Sequence, residues 1–315
     1  MSGPRIRQAH STIPQPNRRE LTAAIALTAL SLGGLGRPAA FAQAPERIVV
    51  AGGVITEVIY ALGLQDRVVG VDSTSQYPAQ ALRDKANVGY VRALSAEGVL
   101  SLKPSLIMVV DGAGPPDAVS LLKESGVKIV TIDDGQTPEG VVAKIAAIGA
   151  ALGAAEPAGR LAAETKARFE ELSALRAAIT QKRRILFVLA LQNGRALVGG
   201  RNSSADAIIR LAGAVNVADT IEGYKPMTEE SIAAAQPEIV VMMRRGAGDH
   251  AIKPDDLFAL PAFARTPAAS ERRLIQMDGL YLLGFGPRTP MAARDLMAAI
   301  YPEAAIPPLK TAAAP

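Results

Sequence analysis

From residue 47 onward the apolar positions follow two alternating rhythms. Short runs rich in β-branched and aliphatic residues occupy residues 47–51, Val68–Val71, Leu106–Val110 and Lys128–Ile132. Between them lie stretches of helical spacing: Glu57, Val58, Ile59, Ala61 and Leu62, stopped by Gly63; residues 95–102; and residues 117–125. Strands that alternate with helices at this interval predict βαβ units and a parallel sheet. The segment from Glu156 to about Gln181 differs. It has no glycine after Gly159 and no proline after Pro157, and it sets Leu161, Ala162, Phe169, Leu172, Leu175 and Ile179 between charges. This spacing predicts one helix of about 25 residues, roughly 37 Å long. The β/α rhythm then restarts, with strands expected at 184–189, 238–242 and 274–277 and helices over Ser204–Leu211 and 290–300. Residues 307–315 read as a disordered tail.

The two halves repeat one another. Residues 94–107 can be laid on residues 227–240: each block offers a hydroxyl helix cap (Ser95, Thr228), an acid two residues on (Glu97, Glu230), an apolar stripe, a proline and a strand. A Gly-Tyr pair followed by a basic residue precedes each block, as Gly89-Tyr90-Val91-Arg92 and Gly223-Tyr224-Lys225. The pattern predicts an α/β fold of two Rossmann-like lobes with mainly parallel sheets, residues 43–153 and 183–306, joined by a single long helix over 154–182. A ligand cleft is expected between the lobes, the usual place for one.

The first 42 residues read as a signal peptide. A basic segment ends at Arg18-Arg19, an apolar run of about 15 residues follows, and Ala40-Phe41-Ala42 makes a small-residue cleavage site. The run falls short of the roughly 20 residues that span a bilayer. This changes the charge picture. Residues 1–42 carry five arginines and one glutamate, so the 34 basic and 30 acidic side chains of the 315-residue chain become 29 of each beyond them. A balanced mature chain has no electrostatic footprint for nucleic acid. With no cysteine anywhere, there is no disulfide, no thiolate metal site and no lipid-bearing N-terminal cysteine, so the mature protein is expected to be periplasmic and not a lipoprotein.

Catalytic patterns are missing. Beyond the leader the only histidine is His250, in a polar loop, and there is no G-x-S-x-G, H-E-x-x-H, P-loop or dinucleotide glycine pattern. One imidazole cannot build a zinc or manganese site. Tyr90 remains. A phenolate is a hard ligand for ferric iron and serves as an axial haem ligand elsewhere, and Arg92, two residues on, could ease its deprotonation. Spacing alone fits more readily a partly buried loop tyrosine beside a solvated arginine.

Several stretches carry a family resemblance: residues 56–63 (Thr-Glu-Val-Ile-Tyr-Ala-Leu-Gly), residues 69–78, residues 87–98 around Gly89-Tyr90-Val91-Arg92, residues 223–226, and residues 277–288, which end in Gly284-Phe285-Gly286-Pro287-Arg288. In these the chain resembles the periplasmic haem-binding proteins of bacterial haem ABC importers. They belong to the helical-backbone group of binding proteins that also serves cobalamin and siderophores. The resemblance implies a hemin-transport protein, not an enzyme, whose ligand is haem held through Tyr90 on iron, with Arg92 hydrogen-bonding the tyrosine oxygen. It implies that Glu97 and Glu230 meet arginines of the membrane permease, and that haem arrives through an outer-membrane haem receptor system. Tyr224, Lys225, Arg201 and Arg288 are its candidates for the far wall or the haem propionates. Some relatives offer a second-lobe histidine to the iron. Residues 191–202 here contain none, which points to Tyr90 as the sole side-chain ligand. The alternative cargo in the same fold is cobalamin or a ferric siderophore.

Overall fold

The computed structural model describes residues 46–192, 195–244 and 252–310, together with Gly3. The expected signal peptide and His250 lie outside the described residues.

The first lobe is built on β1 (Ile48–Ala51), whose four residues are all buried. After it come α1 (Gly53–Ala61), β2 (Val68–Val71), α2 (Gln80–Asp84), β3 (Ala86–Asn87) and a small antiparallel hairpin of β4 (Gly89–Tyr90) and β5 (Ala93–Leu94). Then follow α3 (Ala96–Ser101), β6 (Leu106–Val110), α4 (Pro116–Glu124), β7 (Lys128–Ile132) and α5 (Pro138–Ala151). The sheet runs β3-β2-β1-β6-β7 and every pairing in it is parallel. The helix α5 is absent from the sequence-based reading. Its buried stripe, Val141, Ile145 and Ile148, has helical spacing, but alanines on the remaining faces blur the contrast on which periodicity depends.

The long helix exists as α6 (Ala155–Ala177), 23 residues and so about 34 Å at 1.5 Å per residue. It lies close against α5. A Cβ on Gly149 would come within 2.1 Å of the Ala158 Cβ, so only glycine permits this approach.

The second lobe contains β8 (Arg184–Gln192), β9 (Arg195–Gly199), α7 (Ser204–Leu211), β10 (Val215–Asn216), β11 (Tyr224–Met227), α8 (Glu229–Ala235) and β12 (Ile239–Arg244). It is completed by α9 (Pro254–Phe258), α10 (Pro267–Ser270), β13 (Leu274–Asp278), α11 (Gly279–Leu283) and α12 (Thr289–Ile300). Its sheet runs β11-β9-β8-β12-β13, with β10 beside β8. Pairings among β8, β10, β12 and β13 are parallel, whereas β9 is antiparallel to both β8 and β11. The second sheet is therefore mixed, because β8 and β9 form a hairpin where a purely βαβ pattern would have placed a crossover helix.

Strand β8 shows how the core is divided. Ile185 and Phe187 face one hydrophobic cluster, and Leu186 and Val188 the other, as side chains alternate across a pleated strand. The first cluster is continuous through both lobes: it joins Ile48, Ile55 and Met108 to Phe169 of α6 and to Ile209, Ile239, Leu282 and Phe285. The tail also departs from expectation. Up to residue 310 it is docked: Leu309 is buried, the Arg294 guanidinium donates to the Ile306 and Pro307 carbonyls, and the Lys310 N–H donates to Glu171 at 2.8 Å. One apolar side chain and two carbonyls that find a cation are enough to order a proline-rich segment; residues 311–315 lie outside the described residues.

Candidate functional site

In the first sheet the chain winds outward in one direction through β2 and β3 and in the other through β6 and β7. The neighbours β1 and β6 therefore mark the point where strand order reverses, and ligands of open α/β sheets gather beyond the carboxyl ends of such strands. A buried carboxylate organises this edge. Asp72, just after β2, accepts hydrogen bonds from the Gly52 N–H at 2.9 Å, the Thr74 N–H at 3.0 Å, the Thr74 hydroxyl at 2.7 Å and the Ser75 hydroxyl at 3.1 Å. Those bonds satisfy a charge that burial would otherwise penalise, and they fix the turns that follow β1 and β2.

The β4–β5 hairpin rests on this scaffold. The Gly89 carbonyl accepts from the Ser73 N–H at 2.7 Å, Gly114 donates to the Val91 carbonyl at 2.9 Å, and Leu94 donates to the Gly114 carbonyl at 2.8 Å. Val91 and Leu94 are buried, which pins the hairpin's inner face. Gly89 takes φ +95°, a conformation that favours glycine. Between these anchors Tyr90 stands 51% exposed. Among the described residues its hydroxyl has no hydrogen-bond partner. Arg92 is also exposed, and its guanidinium donates to the Gly112 and Asp111 carbonyls in the turn after β6. A side chain on Gly112 would occupy the position of the Arg92 Nη1, so that glycine leaves the seat open.

The second lobe treats its matching tyrosine differently. The Tyr224 hydroxyl lies 2.7 Å from the Ser204 hydroxyl and accepts from the Ala205 N–H at 3.3 Å, at the start of α7. Its ring meets Phe187 edge-on at 6.4 Å. Burial pushes the phenol above its usual pKa despite those hydrogen bonds. Tyr224 is thus spent on its own lobe, and its oxygen is not a free ligand. Arg201 and Lys225 are exposed, and neither side chain has an ion-pair partner among the described residues.

Arg288, expected as a contact to ligand carboxylates, is engaged elsewhere. Its Nη2 donates to Glu57 at 2.9 Å and its backbone N–H to the same carboxylate at 3.2 Å, while the guanidinium covers the Tyr77 ring at 3.5 Å. It is a bridge from the second lobe to the first. Lys144 of α5 makes another, donating to the Phe285 carbonyl at 3.2 Å and to Asp134 at 2.9 Å. Glu57, Tyr77 and Lys144 were not marked as site residues by the sequence. The available signal was a lone charge inside an apolar helical stripe: Glu57 between Ile55 and Val58, Lys144 between Val141 and Ile145.

The internal repeat is present in space. Ser95 caps α3 by accepting from the Gly98 N–H, and Thr228 caps α8 by accepting from the Ser231 N–H. Glu97 and Glu230 occupy the same place in the first turns of these helices, both exposed. Glu230 is held below the usual carboxylate range by its own N–H and by the Thr228 hydroxyl.

A cavity of about 500 Å³ lies between the lobes on the α6 side, bordered by Asp134, Thr137, Arg176, Asn202 and Arg210; Tyr90 is not among its lining residues. Among the described residues no cluster of three His, Cys, Asp or Glu side chains could hold a metal ion, and no helix is long and apolar enough to cross a membrane. An exposed phenol without a hydrogen-bond partner among the described residues, as at Tyr90, suits a metal whose other coordination sites are already filled by its own macrocycle or chelator.

Two α/β lobes on a long connecting helix, with the exposed Tyr90 phenol near the strand-order reversal, define a cleft-type solute-binding protein. The chain belongs to the periplasmic binding protein family, whose model matches residues 48–280. Among solved structures it is similar to the apo form of the periplasmic heme-binding protein RhuT from Roseiflexus sp. RS-1, at 39% identity over 83% of this chain and 100% of that one, with a TM-score of 0.77. Among curated proteins it is 27% identical over 262 residues to the uncharacterized ABC transporter substrate-binding lipoprotein YvrC of Bacillus subtilis (strain 168), covering 82% of this chain and 81% of that protein. It is also 27% identical over 198 residues to the vitamin B12-binding protein of Vibrio cholerae serotype O1 (strain ATCC 39541 / Classical Ogawa 395 / O395), covering 62% of this chain and 69% of that protein.

Proposed function

We propose that this protein captures haem in the periplasm and hands it to the permease of an ABC importer, without catalysing a reaction. The carrying observation is Tyr90: half exposed, unpartnered among the described residues, and held on a hairpin that its neighbours fix on three sides. In this reading the Tyr90 phenolate binds ferric iron. Arg92, two residues along the chain and seated on the Gly112 carbonyl, places a positive charge beside the site. Arg201 and Lys225, both exposed and without an ion pair among the described residues, are the cations offered to the propionates, with Arg the better match to a carboxylate. Tyr224 contributes a ring rather than an oxygen, so the iron takes one side-chain ligand. Similarity to a heme-binding protein at 39% identity over its full length supports haem over cobalamin. The chain would reach the periplasm with a leader removed near residue 42 and no lipidated cysteine, and an outer-membrane haem receptor system would supply it.

Titrating the chain from residue 43 with hemin tests the reading. A saturable, shifted Soret band is expected, with no comparable spectral change on adding cobalamin. Saturable cobalamin binding with an unshifted hemin spectrum would reverse the assignment of cargo.

The permease contact has a separate signature. Exchanging both acids, Glu97→Arg with Glu230→Arg, puts positive charge on both proposed docking helices. Hemin affinity should stay at the parent value, while stimulation of the reconstituted importer's ATPase falls to the level without binding protein. Full stimulation by the double variant would remove these acids from the docking surface.

A further inference from the structure

We infer that a cavity beside the C-terminal end of α6 is a second binding site, one that takes a small amphiphilic anion: a carboxylate joined to a short apolar body. It is separate from the Tyr90 hairpin and does not depend on what that hairpin holds.

The cavity, of about 680 Å³, opens between the last turn of α6, the segment leading into β8, and the turn from α7 to β10. Arg176, Lys182 and Arg210 line it against a single acid, Asp219. Beyond the leader the chain's charges balance, so this excess is local, and a concave surface lined by one sign of charge concentrates ions of the other. Arg210 is partly spent, with its Nε 2.9 Å from Asp206. Arg176 and Lys182 are exposed and have no ion-pair partner among the described residues. The other cations of α6 each find an acid one turn away, as Arg160 with Glu156, Lys166 with Glu170 and Arg168 with Glu164. Helix ends account for part of the excess: Arg176 and Arg210 lie in the last turns of α6 and α7, where a cation complements the carbonyl end of the helix. Lys182 lies past the end of α6 and belongs to neither helix, so its charge has no such task.

The floor between these cations is apolar. Ile179, Ala214 and Val215 line it, and Val215 stays 40% exposed although it lies in a strand. Gly213 takes φ +78°, and a Cβ there would lie 3.3 Å from the Arg176 Cγ and 3.6 Å from Ile179. The bare glycine lets the arginine stem lie along the floor, as long charged side chains do on apolar surface. An inorganic anion would leave that floor in water, and an uncharged apolar guest would leave the two cations unanswered. A carboxylate on a short hydrocarbon answers both, with the arginine fork matched to its two oxygens and the lysine acting as a point charge.

Titration of the chain with octanoate, followed by amide chemical shifts, tests the site. Saturable shifts are expected in residues 176–182 and 210–219, and equally in Tyr90→Phe, which separates this site from the haem reading. Arg176→Gln with Lys182→Gln, at two exposed positions, should weaken octanoate binding roughly 100-fold through the loss of two charge-assisted contacts, with the rest of the amide spectrum unchanged. Arg160→Gln with Lys166→Gln removes the same charge from exposed positions of α6 and should leave the affinity at its parent value. Acetate, which has the charge without the body, and octyl glucoside, which has the body without the charge, should give no saturable shift in these residues. The assignment is overturned by any of the following: no saturable octanoate binding, shifts centred on the β4–β5 hairpin instead, parent-like affinity without Arg176 and Lys182, an equal loss in the Arg160 and Lys166 control, or an equal response to acetate or octyl glucoside.

Discussion

Tyr90→Phe should abolish the shifted Soret band in a hemin titration while leaving the far-ultraviolet circular dichroism and the melting temperature at their parent values. The substitution removes one oxygen from a residue that is half exposed and makes no hydrogen bond among the described residues, so nothing in the fold is left unsatisfied. The proposed site, by contrast, loses its only iron ligand. Loss of an outer-shell partner typically costs a metal site roughly 10- to 100-fold in affinity, and loss of the ligand itself should exceed that. Arg92→Ala, which affects the same oxygen at one remove, should fall within the outer-shell range. Parent-like hemin affinity in Tyr90→Phe would show that this phenol does not hold the iron.

The largest effect on stability is expected from Phe187→Ala. Phe187 is fully buried at the centre of β8, in the cluster that crosses both lobes, and meets Tyr224 edge-on. Phenylalanine-to-alanine truncation in a core costs about 4 kcal/mol, combining lost transfer energy with the cavity left behind. For a chain of this size that lowers Tm by roughly 10 °C. The Soret spectrum at low temperature should survive, because Tyr90 belongs to the other lobe. A thermal melt checks the first part and a hemin titration below the transition checks the second. A shift of less than about 2 °C would mean that the cavity collapses and the shared core is softer than its packing suggests.

What could be read from the sequence divides along physical lines. Four strands of the first sheet, β1, β2, β6 and β7, were visible because they are short, continuous apolar runs, and α6 because it is long and free of breakers; the exposed two-residue β3 carries no such run. The paired caps Ser95 and Thr228 were visible because capping is a local interaction, settled within four residues. The antiparallel β9 was not, although Asn193-Gly194 between β8 and β9 is a strong hairpin signal: the expectation of βαβ order outweighed a dipeptide. The partners of Arg288 and Tyr224 were not legible for a different reason: sequence does not reveal that one is answered by Glu57, 231 positions away, and the other by the start of α7. Lys144 shows the limit most plainly, since a charge inside an apolar stripe signals a partner without naming it.

The repeated halves have taken separate paths at their matching tyrosines. One points its oxygen outward from a braced hairpin; the other has buttoned its oxygen onto the neighbouring helix. On the proposed reading, a guest held through Tyr90 alone has a single side-chain bond to break when it is passed on.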